Sequence, residues 1–505
     1  MFKGRPLLPL LLLLATFFVI EFAYPNFPGV DEIFFKSAGL NLSKGGAFAA
    51  AELEGFLHAD PPLEQVFFVY PPLYPWLFGQ WTHATGFGWA ACVGYDALIS
   101  AGLALIIFGL ANAVAGELLG PVSVRRRAAL AFLATLLTLL FGHRGRPDEL
   151  GMALGFANAW WLFRPPASSP RQPSVTFVSG VLAGLMLCTS PGVFMTFMPF
   201  LAALWLRRVN DMREVAPSLI AAGLGGGLAA ALCLTPFFLL HPHFYQQFLQ
   251  SFQVQVSRGW SYSIFSSYAW HSSPQSHFIL SATVPVLCLG MVTLWRTRRI
   301  WEMLALIVAP LVGFGLMCFT YAPHYYWWFL QPWFLLVAMV VTADFWWNRR
   351  SRPLATVSVV WLAIWLTVAS AWPAKNFLVR VTLTPEQRLT PNVQKLRELI
   401  PTGARVLTSI GWWALGNDRS VYDPKFSDIR DLARIEYFVT DSNGPVQLGG
   451  WAWPGNARYD AMVRESFEVI SDTLPRTPFQ FFGVRITKGA YGFGTVVLRR
   501  VPARQ

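Results

Sequence analysis

Charge is what this sequence has least of. Only 13% of its 505 residues are Asp, Glu, Lys or Arg, against 54% of hydrophobic types. An ordinary soluble domain carries about twice that charged fraction. A disordered or nucleic-acid-coating chain is therefore excluded, despite a net charge of +12. Cysteine is also scarce. Cys92, Cys188, Cys233, Cys288 and Cys318 all fall in apolar stretches, with no metal-ligand spacing, and read as buried packing. The polar segments thus have no disulfides, as suits a bacterial envelope protein. Glycine-rich phosphate loops, internal repeats and low-complexity runs are missing too.

Apolar runs, by contrast, recur through the first 372 residues, many near the roughly 17–25 residues a bilayer-spanning helix needs. Eleven spans are expected, near 6–23, 89–115, 128–142, 149–163, 175–189, 192–206, 216–239, 278–295, 301–320, 325–346 and 353–372. The first, Pro6 to Ala23, has too long an apolar core for a signal peptide and reads as an uncleaved anchor. The 22 Trp and 42 Phe fit lipid and its interfaces.

Basic residues set the expected orientation. With the N-terminus in the cytoplasm, inner connections hold 16 of them, including Arg125 to Arg127, Arg207, Arg208, Arg296, Arg298, Arg299 and Arg352. Outer connections before residue 373 hold five: Lys36, Lys44, Arg144, Arg146 and Arg258. All eight His and most acidic residues of this part then lie on the outer side. The fold class expected is a polytopic α-helical membrane protein, residues 1–372, with outer loops at 24–88 and 240–277. The tail, 373–505, reads as a soluble extracytoplasmic α/β domain, with a helix from Thr384 to Ile400, strands at Arg405–Ile410 and Ile435–Val439, and a hairpin within Gly483–Val501. The protein is placed in the bacterial inner membrane with that domain in the periplasm, and the tail is assigned no catalysis.

Ionisable groups at membrane depth usually have a job. Asp31-Glu32, just outside the first span, offers a carboxylate able to act as a general base; the pair also suits a helix N-terminus. His143-Arg144-Gly145-Arg146-Pro147-Asp148-Glu149 puts phosphate ligands in a tight outer turn, where Asp148 orients Arg146 or simply pins the turn. His324 and Tyr325 stand in an aromatic stretch that is either an anion site or an interface belt. Arg258 is the sole formal charge between His241 and His277. Together they suggest an outer-surface site for a substrate that is half lipid and half polar. A transporter or flippase, which would show paired repeats, and a non-catalytic assembly protein are the rival readings.

These residues resemble the membrane-embedded GT-C glycosyltransferases that use polyprenyl-phosphate sugars, such as aminoarabinose transferases and protein O-mannosyltransferases. Asp31-Glu32 precedes Ala38-Gly39-Leu40-Asn41-Leu42 and Gly45-Gly46; Tyr70-Pro71-Pro72-Leu73 with Trp76 follows, then Arg146-Pro147-Asp148-Glu149. Aminoarabinose transferases tend to have Lys where this chain has Tyr70. The resemblance implies inverting transfer with Asp31 and Glu32 catalytic. It assigns donor-phosphate binding to Arg146, Arg258, His324 and Tyr325, and substrate positioning to Asp148, Tyr70 and Lys36. Expected partners are a polyprenyl-phosphate sugar donor, an acceptor that is lipid, glycan or protein, and membrane lipids, with no nucleic acid. No cofactor is expected. A divalent metal serves some relatives, but no dense carboxylate and His set points to one here.

Overall fold

The computed structural model describes residues 7–25, 32–55, 60–68, 70–120, 122–141, 145–163, 172–209, 212–240, 244–247, 249–250, 253, 274–320, 329–348, 351–408, 410–423, 432–440, 465–474, 480–481, 484–485 and 494–501. A bundle of helices leads into a small mixed sheet. The helices are α1 (Leu7–Ala23), α2 (Glu32–Ser43), α3 (Leu73–Thr85), α4 (Trp89–Leu118), α5 (Val124–Phe141), α6 (Pro147–Phe163), α7 (Gln172–Leu187), α8 (Pro191–Leu206) and α9 (Val215–Leu240). Then come α10 (Pro274–Arg296), α11 (Ala309–Thr320), α12 (Gln331–Trp347), α13 (Arg352–Thr382), α14 (Leu389–Leu399) and α15 (Trp412–Leu415). A π-helical turn, Leu304–Val308, leads into α11.

Each segment expected to span contains a described helix. Among the described residues, three helices are long and apolar enough to cross a membrane alone: Trp89–Leu118, Met212–Leu239 and Arg352–Thr382. Helices α5 to α8 have 16–18 residues each. At 1.5 Å per residue they reach roughly 25 Å, close to a hydrocarbon core of about 30 Å. Their hydrophobic faces meet in one large core running through α1, α4, α5, α6, α8 and α12.

The last long helix, α13, runs on to Thr382, ten residues past the expected end of the final span at 372. Arg380 near its end donates to the Tyr24 carbonyl at 2.9 Å and lies 3.7 Å from Glu21, tying it to the end of α1. In the tail, β1 (Arg405–Leu407), β2 (Ser420–Tyr422), β3 (Tyr437–Thr440), β4 (Phe467–Asp472) and β7 (Val496–Arg500) form one sheet ordered β2-β1-β3-β7-β4. The first three are parallel, and β7 is antiparallel to β3 and β4. The hairpin expected within 483–501 is not how its strands pair. Val484–Arg485 (β6) pairs with Gln480–Phe481 (β5), and β7 goes to the sheet instead. Val496, Val497 and Leu498 are all buried; a strand apolar on both faces belongs inside a sheet, not in a two-stranded hairpin.

The tail and the first loop share a second core. Ile33, Phe48, Phe67 and Phe78 from the loop pack with Val393, Leu396, Val406 and Trp412 from the tail. Helix α14 contributes through Leu389, Val393 and Leu396, the 3- and 4-residue spacing of one helix face. Part of the second expected loop joins them. Gln247 accepts from the Phe68 N–H at 2.5 Å and donates to the carbonyls of Pro61 and Val66 at 2.7 and 2.8 Å.

Helices α2 and α3 cross backbone to backbone. A Cβ at Gly39 would lie 1.9 Å from the Pro75 carbonyl oxygen, and one at Gly79 2.6 Å from that of Gly39. Gly39→Ala is expected to lower stability by about 1–3 kcal/mol through overpacking. Gly102→Ala, where nothing lies within 4 Å, is expected to raise it by about 0.5–1 kcal/mol. Thermal unfolding of the detergent-solubilised protein compares the two, and equal shifts would contradict the close crossing.

Candidate active site

The site begins at Lys36. It stands one turn after Glu32 on α2, so the two side chains share a helix face. Its ammonium donates to Glu32 at 2.5 Å and to Asp96 of α4 at 2.7 Å, and the side chain is fully buried. The rings of Phe78, Tyr95 and Trp413 surround it at 5.4–6.0 Å, a range in which a ring face attracts a cation. Burial alone would lower the Lys36 pKa, but Asp96 and then Glu32 outweigh it and hold the value above the usual lysine range. Lys36 is therefore a permanent cation. Tyr74, at the start of α3, donates to the other oxygen of Asp96 at 3.3 Å, while Tyr95 donates to the Tyr74 carbonyl at 3.0 Å.

The turn before α6 comes up against Glu32. Gly145 has φ +83°, and a Cβ there would lie 2.8 Å from the Glu32 carboxyl carbon. Both the left-handed backbone and the close approach call for glycine. Arg146 donates to Asp148 at 3.2 Å, and its guanidinium lies 5.2 Å from the centre of the Phe35 ring. Asp148 also accepts from the Ser190 hydroxyl at 2.7 Å; that hydroxyl in turn accepts from the Val193 N–H and caps α8. Glu149 accepts from Ser100 of α4 at 2.6 Å. With Pro147 as the first residue of α6, Asp148 and Glu149 sit where the helix dipole favours carboxylates. Four elements distant in sequence thus converge at one end of the bundle.

Beside Asp148 and Glu149 lies an apolar cleft formed by Leu103, Thr138, Phe141, Phe329 and Gln331, among others. The Gln331 side-chain nitrogen is buried in this structure without a hydrogen-bond partner among the described residues. Tyr70, expected to position substrate, packs edge-on against Phe34 and Phe35, with centroids 6.0 and 4.8 Å apart. Lys36, given the same expected role, has no exposed surface and touches Glu32 and Asp96 instead. Of the expected site residues, Glu32, Lys36, Tyr70, Arg146 and Asp148 come together around α2. Asp31, Arg258, His324 and Tyr325 lie outside the described residues. No described group of three or more His, Cys, Asp or Glu side chains is arranged to hold a metal ion.

Asp96 and Trp413 were missed by the sequence reading. Asp96 had a signal: of the two carboxylates in the 30-residue apolar helix α4 it is the one away from the helix's C-terminal end. Trp413 had none, because the short buried helix α15 carries it from the tail. The docking that brings it there is polar at its rim. Lys44 donates to the Gly416 carbonyl at 2.7 Å, Trp412 donates to Glu52 at 3.3 Å, the Asp423 N–H donates to the Glu52 carbonyl at 3.0 Å, and Arg434 pairs with Glu54. Burial raises the Glu52 pKa, an effect only partly offset by hydrogen bonds, including that from Trp412, and by Lys44.

No known family description matches the chain, and no curated protein sequence matches it. Solved structures do. ArnT from Cupriavidus metallidurans, determined with undecaprenyl phosphate bound, matches over 98% of this chain and 98% of its own, with a TM-score of 0.57 at 13% identity. The arabinofuranosyltransferase AftD from Mycobacteria matches 98% of this chain and 40% of its own, with a TM-score of 0.39 at 14% identity. The chain has the fold of ArnT.

Lys36→Met leaves two carboxylates buried without their shared cation. It is expected to destabilise the protein by about 3–5 kcal/mol, measurable by thermal or denaturant unfolding; a loss under about 1 kcal/mol would contradict the ion triad. Because the folded pKa of Lys36 is raised, its stabilisation is complete below about pH 10 and is lost only as pH climbs through the folded value. Glu52 also has a raised folded pKa, so its contribution is greatest in acid and is lost as pH rises through that value. Glu52→Gln is therefore expected to narrow the difference in melting temperature between acidic and neutral buffer. An unchanged difference would remove Glu52 as a source of it.

Proposed function

We propose that this protein is a glycosyltransferase that moves a sugar from a polyprenyl-phosphate donor to an envelope acceptor: a lipid, a glycan or a protein. One observation carries the reading. The start of α2 and the Gly145–Glu149 turn, more than 100 residues apart, meet at Glu32 within a chain that has the fold of ArnT. That meeting sets the carboxylate-bearing segment beside a cationic one, which is what transfer from a phosphate leaving group requires. The undecaprenyl phosphate bound to ArnT supports a lipid-phosphate donor for this chain too.

In this reading Asp31, one residue before Glu32, takes the proton of the acceptor hydroxyl. The oxygen attacks the anomeric carbon from the face opposite the phosphate, the sugar–phosphate bond breaks, and polyprenyl phosphate leaves with the electron pair. Configuration inverts. Arg146, oriented by Asp148, neutralises the developing phosphate charge together with Arg258, His324 and Tyr325. Tyr70 shapes the acceptor side. Glu32 is a positioning residue held by Lys36. The basic connections of the opposite end support a site on the periplasmic side of a bacterial inner membrane.

The test is sugar transfer by purified protein in detergent, from a polyprenyl-phosphate donor to extracted envelope acceptors. Asp31→Asn is expected to lower turnover by about 10²–10⁴-fold, the usual contribution of a general base. Arg146→Gln is expected to weaken donor use chiefly through KM. Full activity in Asp31→Asn would remove Asp31 as base, and lipid flux in liposomes without product would favour a transporter.

A further inference from the structure

The end of the bundle opposite the site has a different chemistry. Several helix ends gather there. Arg299, in the turn after α10, donates to the Leu118 carbonyl of α4 at 3.3 Å, and Asn348, after α12, donates to that of Leu119 at 3.5 Å. The Arg126 guanidinium of α5 lies 5.4 Å from the centre of the Trp347 ring. Helix α13 begins five residues after Trp347. The carboxylates at this end are occupied: Glu117 pairs with Arg207, Glu302 with Arg299 at 3.1 Å, and Asp344 accepts from Asn348 at 2.6 Å.

Five cations are left over. Arg125, Arg126, Arg296, Arg298 and Arg352 are exposed, and none is in an ion pair among the described residues. Three large indoles are exposed along with them: Trp295 at 62%, Trp301 at 61% and Trp346 at 53%. Tryptophan collects where hydrocarbon meets headgroups, so these rings mark the depth at which lipid phosphates lie. Arginine is the side chain best matched to phosphate oxygens, in bidentate geometry. Without an anion the five like charges repel one another.

We propose that this ring of arginines and tryptophans is a binding surface for the headgroups of anionic phospholipids, with the indoles seated at the acyl boundary and the guanidiniums on the phosphates. Positive loops alone would orient the chain. The exposed indoles beside these arginines in the sequence, together with carboxylates already paired, point to retained lipid. The inference does not depend on the proposed reaction.

The test uses the full chain purified in detergent. It is incubated with phosphatidylglycerol or with phosphatidylcholine of the same acyl chains, and the retained lipid is counted by native mass spectrometry. Wild type is expected to retain phosphatidylglycerol at least about tenfold better, on the scale of a severalfold gain per basic residue, and to lose it as salt rises. Arg125→Gln/Arg126→Gln and Arg296→Gln/Arg298→Gln are each expected to bring retention down toward the phosphatidylcholine level. Arg499→Gln, an exposed tail position paired with Glu468, leaves it unchanged. Equal retention of both lipids by wild type, or an undiminished preference in both double variants, would overturn the proposal. Arginine-dependent binding of inorganic phosphate in place of lipid would overturn the lipid assignment.

Discussion

A single buried ammonium organises one end of this protein. Lys36 needs anions because it has no water, and Glu32 and Asp96 need a cation for the same reason. Neither carboxylate is affordable at its depth alone. The pairing fixes α2 against α4, and Gly145 can approach Glu32 only while that carboxylate is held. The Gly39–Gly79 crossing then brings α3 in, and with it Tyr74 on Asp96. The first loop, long and poor in regular structure by composition, is thus ordered by electrostatics at its start and by aromatic packing along its length.

The tail enters this arrangement as a component. Two adjacent tryptophans divide the work between polar and ionic neighbours: Trp412 donates to Glu52 and packs against Phe78 and Phe87, whereas Trp413 closes over Lys36. A cation enclosed by rings and by two carboxylates is shielded from solvent on every side the described residues define. The fold shared with ArnT explains why helices meet here. The ion triad and its aromatic wall are what this particular sequence does with that meeting.

Much of this was legible beforehand, for identifiable reasons. Apolar runs located most of the helices of the bundle. Asp31-Glu32 and Arg146-Pro147-Asp148 stood out because charge is so rare in the chain. Asp96 did not stand out, since the apolar run 89–115 absorbs one carboxylate without losing its helical reading. Lys36 read as a substrate-positioning residue because the second of its two partners, Asp96, lies 60 residues away. The β7 strand was misread through its neighbouring glycines, which suggested a turn, whereas burial of three consecutive apolar residues decided its place in the sheet. Trp413 was invisible for a simpler reason: nothing local distinguishes a tryptophan that packs its own domain from one that reaches another.

Chain order gives that last contact a temporal meaning. Glu32, Lys36, Asp96, Gly145, Asp148 and Ser190 are all synthesised within the first 190 residues, long before Trp413. A ribosome that has made the ion triad has still to make the ring that covers it. The centre is therefore enclosed only after Trp413 is made and α13 has carried the tail back to α2. A product ending before Trp413 would lack that ring over Lys36, so the wall of the first loop's charge centre is supplied from the far end of the described chain.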